Sequence, residues 1–226
     1  DTAWYRRAGL GRNNIKGYGI GEVRERMDRF KIPPRELEEM LPQQLLMLQV
    51  AVNAWEHAGN QGDGDAHTGV YIGLGLDLNT TNFNVRWSLL NKAAQWMKAQ
   101  GGDTSPQAVA DYLETLHDAA GPALSANRTM GALASIVASR IARELRCGGP
   151  SFTLSSEETS GIRALDAAVR ALQQGQLNQA IVGAVDLAGD VRAVLAAQYH
   201  GAFSPTGQGA GFNTGSDGTL YGEGAT

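Results

Sequence analysis

Two adjacent carboxylates, Glu157 and Glu158, stand where an apolar stretch passes into a helical pattern. The stretch 148–172 reads GGPSFTLSSEETSGIRALDAAVRAL, with a predicted strand before the glutamates and a predicted helix after them. Many enzymes present a Ser, Cys or Thr nucleophile at a strand-to-helix elbow of this shape. This elbow presents carboxylates instead, and the first question is what they do there.

One answer is purely structural. The run Ser155-Ser156-Glu157-Glu158, followed by Thr159, matches a capping box. In that motif Ser155 is the N-cap, and Glu158 is the acid that reaches back to the backbone of the cap. Carboxylates in a first turn also offset the positive end of the helix dipole, by about 0.3–1 kcal/mol each at exposed positions. The motif therefore predicts a capped helix over 158–174.

The elements around the elbow alternate between strands and helices. Pro42 divides a helical pattern that begins near Pro33 and ends near Gly59, whereas residues 1–27 are polar, glycine-rich and predicted to be irregular. The other predicted elements are strand 67–76, helices within 85–118 broken at Gly101-Gly102, helix 129–145, strands 150–154 and 180–185, and a helical or irregular stretch 188–199. This alternation predicts an α/β fold with a mostly parallel sheet and helices on both faces.

The helix after the elbow carries an apolar stripe, which consists of Ile162, Leu165, Ala168, Val169 and Leu172. The helix over 129–145 has Ala, Gly and Ser on most faces, which suits close packing. The two patterns predict that the stripe is buried near the centre of the molecule, with helix 129–145 as its neighbour.

Composition excludes several classes of function. The chain has 226 residues and a net charge of −4, and its basic residues are scattered, so we expect no nucleic-acid partner. The single Cys147 excludes an internal disulfide and a cysteine-based metal site, which favours a cytoplasmic protein with no bound metal. No apolar run approaches the roughly 18–20 residues of a membrane span.

The segment beginning at Gly148 resembles the nucleophile region of β-ketoacyl synthases, the condensing enzymes of fatty-acid and polyketide assembly lines. That family reads G-P-S-x-x-V-D-T-A-C-S-S-S-L, and gapless superposition on Gly149-Pro150-Ser151 places its cysteine at Glu158. Four further stretches are similar to the family in the same order: DRFKIPPRELEEMLPQQLLMLQVAVNAWEHAG (28–59), GVYIGLG (69–75), IVASRIARELRCGGP (136–150) and FSPTGQGAGFNTGSDGTLYGEGAT (203–226). The resemblance implies that residues 28–226 form the N-terminal lobe of a thiolase-like ketosynthase domain, which is incomplete here.

The departures from the family pattern bear on chemistry. A glutamate cannot form the acyl-thioester that condensation needs. Cys147 is no substitute, because it precedes the strand. None of the histidines matches the two catalytic histidines of the family; they are His57, His67, His117 and His200. In the glycine-rich stretch, Asn213 replaces an Asp, and Gln208-Gly209-Ala210 replaces a basic, cysteine-containing run.

Ketosynthase-like domains without this cysteine are known as chain-length factors, and the runs SSEETSG and GAVDLAGDVR look most like that class in polyunsaturated fatty-acid and polyketide synthases. The resemblance implies a non-condensing role that shapes an acyl tunnel without a cofactor. It also implies an active ketosynthase and an acyl carrier protein as partners, and a homo- or heterodimer. The strand expected to form the dimer contact is Ser151, Phe152, Thr153 and Leu154.

Two enzymatic alternatives remain at this point. One is a malonyl-carrier-protein decarboxylase of the loading-ketosynthase type, which carries Gln at the cysteine position. An ionised Glu158 about 4 Å from a malonyl carboxylate would repel it by roughly 4 kcal/mol at an effective dielectric of 20, and the helix dipole would return at most about 2 kcal/mol. The other is a condensing enzyme with its nucleophile elsewhere, but the sequence offers no second elbow.

Overall fold

The structure is a computed structural model that describes residues 16–75, 82–187 and 191–226. The elements within these ranges are, in chain order, β1 (Gly17–Tyr18), α1 (Pro34–Glu38), α2 (Pro42–His57), β2 (Thr68–Leu74), α3 (Asn82–Ala99), α4 (Pro106–Ala120), α5 (Ala126–Ala132), α6 (Ile136–Glu144), β3 (Ser151–Leu154), α7 (Ser160–Gln173), β4 (Gln179–Asp186), α8 (Val191–His200), β5 (Tyr221–Gly222) and β6 (Gly224–Ala225).

Prolines and glycines set the helix boundaries that the sequence predicts. Pro42 is the first residue of α2, where a missing N–H costs nothing because that group has no helical partner. The helix ends at His57, and Gly59 follows with a φ of +83° that glycine adopts without strain. The hydroxyl of Ser105 caps α4 by accepting a hydrogen bond from the backbone N–H of Ala108, at 3.4 Å.

The main sheet has four strands in the order β3-β2-β4-β6. Strand β2 pairs in parallel with β3 and β4, in registers that place Val70 opposite Ser151 and Thr68 opposite Gln179. Strand β6 pairs antiparallel with the end of β4. Every residue of β2 is buried, as expected for a parallel strand covered on both faces. The predicted mostly parallel sheet is confirmed.

Helices cover both faces of this sheet. Helices α2 and α6 contribute Met47, Leu48 and Ile141 to the larger core, which they share with Val70 and Ile72 of β2. A second, smaller core lies on the opposite face, and α7 supplies its alanines. The predicted arrangement of helices on both faces is confirmed.

The single helix predicted over 129–145 is wrong, because the structure has two shorter helices there. Helix α5 ends at Ala132, and Leu133 takes an extended ψ of 118°. The amide nitrogen of the buried Gln44 donates to the carbonyls of Met130 and Leu133, at 3.2 and 3.0 Å. These hydrogen bonds stabilise the break between α5 and α6 by satisfying backbone acceptors at the end of α5.

The predicted burial of the α7 stripe is also wrong for four of its five residues, because only Ala168 is buried. Ile162 and Leu165 are 70% and 53% exposed, and Val169 and Leu172 are exposed too. The buried face of α7 consists instead of Ser160, Ala164, Ala168 and Ala171. These small residues let α7 lie close against the sheet, so its large aliphatic side chains point away from the strands. Helix α6 packs in the larger core and α7 in the smaller core on the opposite face, so the region 129–145 is not the main neighbour of α7 that the sequence predicted.

The segment predicted to be irregular, residues 1–27, contains one short strand among its described residues. Gly17 and Tyr18 pair in parallel with Tyr221 and Gly222. The backbone N–H of Ile20 donates to a carboxylate oxygen of Glu223 at 2.6 Å. The beginning of the described chain is therefore attached to the glycine-rich stretch near its end.

Candidate functional site

The elbow lies at the carboxyl edge of the parallel strands. Strand β3 ends at Leu154, the turn spans 155–159, and α7 begins at Ser160. The start of α7 packs directly on the neighbouring strands: a Cβ on Gly73 of β2 would lie 2.5 Å from the backbone nitrogen of Gly161. A Cβ on Gly161 would in turn lie 2.9 Å from that of Ala184 on β4. In open α/β sheets this edge is where ligands commonly bind.

Hydroxyl groups hold the turn together. The buried Ser160 accepts a hydrogen bond from the backbone N–H of Ser156, at 2.8 Å, and donates to the carbonyl of Glu157, at 2.6 Å. The hydroxyl of Thr159 donates to the carbonyl of Ser156, at 2.8 Å, and contacts its hydroxyl at 3.0 Å. These hydroxyls therefore serve the local backbone.

The predicted capping box is wrong. Helix α7 begins two residues later than expected, Thr159 occupies the N-cap position, and no side chain there makes a capping hydrogen bond. The reason is Glu157, whose φ of +50° lies in the left-handed region that a non-glycine residue seldom adopts. This conformation turns the chain before the helix starts, so Ser155 and Glu158 both precede the helix.

Glu158 occupies the position at which the aligned family motif has its cysteine, and its side chain is exposed. Glu157 beside it is exposed as well. The elbow thus retains a strained backbone at the carboxyl edge of the sheet, while the residue at the nucleophile position is an acid. Strained residues of this kind cost about 1–3 kcal/mol and cluster at functional sites.

The predicted dimer strand lies at an edge of the sheet. Strand β3 pairs with β2 on one side, and on its other side it has no strand partner among the described residues. Ser151, Thr153 and Leu154 are half-buried, whereas Phe152 is 41% exposed. The Phe152 ring packs edge-on against Tyr71, with the centroids 4.9 Å apart. Strand β3 is therefore an edge strand within the described part of the chain.

Cys147 has the properties of a structural thiol. It lies between α6 and the start of β3, so the length of β3, about 13 Å, separates it from the elbow. Burial raises the pKa of the Cys147 thiol to about 11, and the nearby charge of Asp65 adds to this effect. A thiol of this kind stays protonated at neutral pH and is a poor nucleophile.

The four histidines lie in or beside elements other than the elbow. His57 and His200 end helices α2 and α8, and His117 lies in α4. His67 directly precedes β2, at the edge of the sheet opposite the elbow. Within residues 16–75, 82–187 and 191–226, no group of His, Cys, Asp and Glu side chains could hold a metal ion. No helix in these ranges has the length and hydropathy of a membrane span.

The glycine-rich stretch has its own polar network. Thr206 donates to a carboxylate oxygen of Asp217 at 2.7 Å, and its hydroxyl lies 3.2 Å from that of the buried Ser204. Hydrogen bonds from Ser204 and Thr206 lower the pKa of Asp217 below its usual value. Asn213 uses its side-chain oxygen within its own turn, accepting from the N–H of Gly215 at 3.0 Å.

Sequence reasoning missed Gly73, Gly161 and Ser160 as residues that position the elbow. A signal was available for Gly161, because a glycine inside a helical pattern costs about 1 kcal/mol relative to alanine and often marks close packing. For Ser160 there was no such signal, since Ser155 and Ser156 lie in the same short segment and the burial of Ser160 depends on the exact start of α7.

Comparison with known proteins agrees with this geometry. Residues 19–226 match the family described as "Beta-ketoacyl synthase, N-terminal domain". The chain is 32% identical over 198 residues to the polyketide synthase ThaG of Burkholderia thailandensis, covering 87% of this chain and 3% of that protein. It is 30% identical over 203 residues to the non-reducing polyketide synthase ausA of Penicillium brasilianum, covering 87% of this chain and 7% of that protein.

Solved structures show the same fold. The "PfaC Keto synthase-Chain length factor" superposes with a TM-score of 0.75 at 26% identity, covering 87% of this chain and 20% of that one. The ketosynthase from module 6 of the bacillaene synthase of Bacillus subtilis gives 0.57 at 25% identity, covering 87% and 27%. The ishigamide ketosynthase/chain length factor, at 19% identity and a TM-score of 0.52, shares the fold and covers 99% of this chain and 55% of that one.

The chain spans less than a tenth of the curated polyketide synthases that it matches and a fifth of the PfaC structure. The family match begins at residue 19, so it includes part of the predicted irregular segment. Together with the parallel sheet, the elbow and the helices on both faces, this match over residues 19–226 shows that the chain belongs to the β-ketoacyl synthase family.

Proposed function

We propose that this chain is part of a non-condensing, chain-length-factor component of a fatty-acid or polyketide synthase. In this role it pairs with an active ketosynthase in the cytoplasm and helps to shape the tunnel that holds the acyl chain. The observation that carries the proposal is Glu158, an exposed acid at the elbow position where the family motif has its cysteine. The likeness to a structure that contains a chain-length factor, at a TM-score of 0.75, supports the same role.

The chemistry of condensation argues for a partner role. Condensation begins when a thiolate takes an acyl group from a carrier and forms a thioester. A carboxylate at Glu158 cannot form that thioester, and Cys147 is protonated and distant from the elbow. The hydroxyls of Ser160 and Thr159 are bonded to the turn itself. An acyl carrier protein would therefore deliver its acyl group to the cysteine of the partner.

Pairing with the partner would use β3. An unpaired edge strand is an aggregation hazard unless another element covers it, and a second strand satisfies its backbone groups directly. Phe152 would contribute an apolar contact at the centre of that edge. Because the two partners share a fold in this proposal, the contact would bring together equivalent strands.

The apolar stripe of α7 is exposed in this lobe and would be buried by packing against another element. Four large aliphatic side chains on one helix face form a surface that normally packs against another element. We propose that the second half of the ketosynthase-like domain packs on Ile162, Leu165, Val169 and Leu172. This would bury α7 between two halves, which is the burial that the stripe predicts and the lobe alone does not provide.

The runner-up function is malonyl decarboxylation, in which the malonyl group loses carbon dioxide and takes up a proton to become acetyl. An ionised Glu158 opposes it by repelling the malonyl carboxylate. Because Glu158 is exposed in this lobe, the repulsion at 4 Å lies between about 1 kcal/mol in water and about 4 kcal/mol at an effective dielectric of 20. The helix dipole offsets part of this. The negative charge of Glu158 therefore favours the partner role over malonyl decarboxylation.

The test is association between an active ketosynthase of the same pathway and this chain joined to the second half of its domain. Sedimentation should show a stable complex, and Phe152→Lys should weaken it at least tenfold. Tyr199→Lys, at another exposed aromatic residue, is the matched control and should have no effect. Failure to associate, or stable acylation of this chain by an acyl carrier protein, would contradict the proposal.

A further inference from the structure

Residues 16–20 lie along the glycine-rich stretch near the end of the chain, and we call them the strap. Within the strap, β1 pairs in parallel with β5 over two residues. The backbone N–H of Glu223 donates to the carbonyl of Tyr18 at 2.8 Å. The carboxylate of Glu223 accepts from the N–H of Ile20 at 2.6 Å. Backbone pairing and one carboxylate therefore attach the strap to the residues around β5.

Lys16 extends this attachment to the loop that precedes β5. Its Nζ donates to the carbonyl of Thr206 at 2.9 Å. The next residue of the loop, Gly207, has a φ of +72°, and a Cβ added there would overlap the aliphatic part of the Lys16 side chain. The left-handed backbone and the close approach of the lysine both favour glycine at this position.

The loop that the strap contacts is closed on itself. Phe203 and Thr219 form an isolated bridge at its base. Inside the loop, the hydroxyl of Thr206 donates to a carboxylate oxygen of Asp217 at 2.7 Å. Because the base and the interior are both bonded, the contact that the strap makes at Thr206 bears on residues 203–219 together.

The same stretch continues to the elbow. Strand β6 follows β5 after one residue and pairs with the end of β4. Thr226 exchanges two backbone hydrogen bonds with Ala184 of β4, both at 2.9 Å. The side chain of Ala184 faces the start of α7, since a Cβ on Gly161 would lie 2.9 Å from its Cβ. Contiguous contacts thus run from the strap through β5, β6 and Ala184 to the helix that follows Glu158.

Little apolar surface holds the strap in place. Residues 16–19 are exposed, Tyr18 is 71% exposed, and Ile20 is half-buried. Segments with exposed hydrogen bonds and few buried apolar contacts open locally at a lower free energy than the core. A two-stranded pair as short as β1 and β5 is also not stable on its own. The strap therefore has the properties of an element that docks and releases while the main sheet stays folded.

We propose that the strap is a conformational latch. When it is docked, it orders the loop 203–219 and holds β5. When it is released, the loop loosens, and through β6 and Ala184 the start of α7 loosens as well. The core that α2 and α6 form with β2 stays folded in both states. The latch thereby gives the backbone around Glu158 two environments, which differ in how firmly α7 is held against β4.

The experiment is hydrogen exchange of backbone amides, followed by mass spectrometry on this chain and its variants. Lys16→Met removes the hydrogen bond to Thr206 and keeps a long side chain, and Ile20→Pro removes a second donor of the strap. In the double variant, amides of 203–223 should exchange about tenfold faster, and those of 156–161 about twofold faster. Amides in the middle of α2 should exchange at the wild-type rate.

Coupling between two segments is reciprocal, so a change in the loop must also act on the strap. Gly207→Ala strains a left-handed backbone and displaces Lys16, and it should speed exchange at the amide of Ile20 about tenfold. Gly211→Ala is the matched control in the same loop, because an added Cβ there meets nothing within 4 Å. Lys98→Met, at an exposed lysine of α3, is the control for Lys16→Met.

Three results would overturn the latch. Unchanged exchange in 203–223 would show that the loop keeps its structure without the strap. Faster exchange throughout α2 as well would show global destabilisation instead of local release. Wild-type exchange at 156–161 in a variant whose loop has opened would remove the link to the elbow.

Lys16→Met alone should produce a smaller increase of exchange in the same loop. It alters one exposed side chain, so it remains informative if the double variant does not fold. None of these measurements requires a partner protein or a change at Glu158, so the latch and the chain-length-factor proposal fail separately.

Discussion

Gly73 on β2 and Gly161 on α7 are in direct backbone contact, since a Cβ on Gly73 would lie 2.5 Å from the nitrogen of Gly161. This contact fixes the height of the elbow above the sheet. It also explains why α7 turns its alanines, rather than its leucines, toward the strands.

Gly73→Ala should therefore force the start of α7 away from the sheet. We expect a loss of about 1–3 kcal/mol in the free energy of unfolding, the usual cost of overpacking a core, measured by urea denaturation. Gly21→Ala is the control, because an added Cβ there meets nothing within 4 Å. A loss at Gly73 no larger than at Gly21 would show that the helix and strand adjust freely.

Ser160→Ala should destabilise the elbow. The buried hydroxyl of Ser160 joins the N–H of Ser156 to the carbonyl of Glu157, and its removal leaves both groups without that partner. We expect a loss of about 1–3 kcal/mol. Ser155→Ala is the comparison: Ser155 is exposed and does not cap α7, so its change should be within about 0.5 kcal/mol. A larger loss for Ser155→Ala than for Ser160→Ala would instead support the capping box predicted from the sequence.

Cys147 should be nearly inert in the folded protein. Its pKa is raised from 9.0 to about 11, so at pH 8 the folded protein should hold about 100-fold less thiolate than the unfolded chain. Alkylation by iodoacetamide at pH 8 should be slower by at least that factor than in denaturant. Fast alkylation of the folded protein at pH 8 would contradict the burial of this thiol.

The raised pKa of Cys147 also makes the free energy of unfolding depend on pH. Because the folded pKa lies above the unfolded one, the contribution of Cys147 is intact below about pH 9 and is lost as the pH rises toward about 11. The Cys147→Ala variant lacks this titration. The free energy of unfolding of the wild type should therefore fall relative to Cys147→Ala between these pH values, and a constant difference would be inconsistent with the raised pKa.

The sequence predicted the helices and strands better than it predicted which of their side chains are buried. Prolines and glycines mark helix boundaries locally, so the break in the helical pattern at Pro42 and the end of the helix near Gly59 could be predicted from the sequence. The break between α5 and α6 depends on hydrogen bonds from Gln44, a residue more than 80 positions away. No local pattern carries that information.

The predictions for the elbow and for the α7 stripe were wrong for related reasons. A motif of serines and glutamates predicts a cap only if the helix starts where the motif does, and the left-handed Glu157 delays the start. The stripe was correctly identified as apolar, but apolarity alone does not say which surface covers it. In this lobe the small residues of α7 face the sheet and allow the helix to approach it closely, whereas Ile162 and Leu165 point away.

Glu158 allows the partner role and the enzymatic alternatives to be separated. Because Glu158 is exposed and does not cap α7, Glu158→Ala should change the free energy of unfolding by no more than about 0.5 kcal/mol. In the partner role, synthase output should change little when folded protein is matched. In a decarboxylase, Glu158→Gln should raise carbon dioxide release by removing a charge that repels the malonyl carboxylate.

Glu158→Cys extends the test to condensation. We expect no condensing activity, because a cysteine alone lacks the groups that activate the donor and stabilise its developing oxyanion, and the histidines of the described chain lie elsewhere. Each variant is incubated with malonyl-carrier protein, with carbon dioxide release and acyl transfer followed by mass spectrometry. The wild type should neither release carbon dioxide nor become acylated. Acylation of any wild-type side chain would replace the partner role with an enzymatic one, and decarboxylation increased by Glu158→Gln would favour the runner-up function.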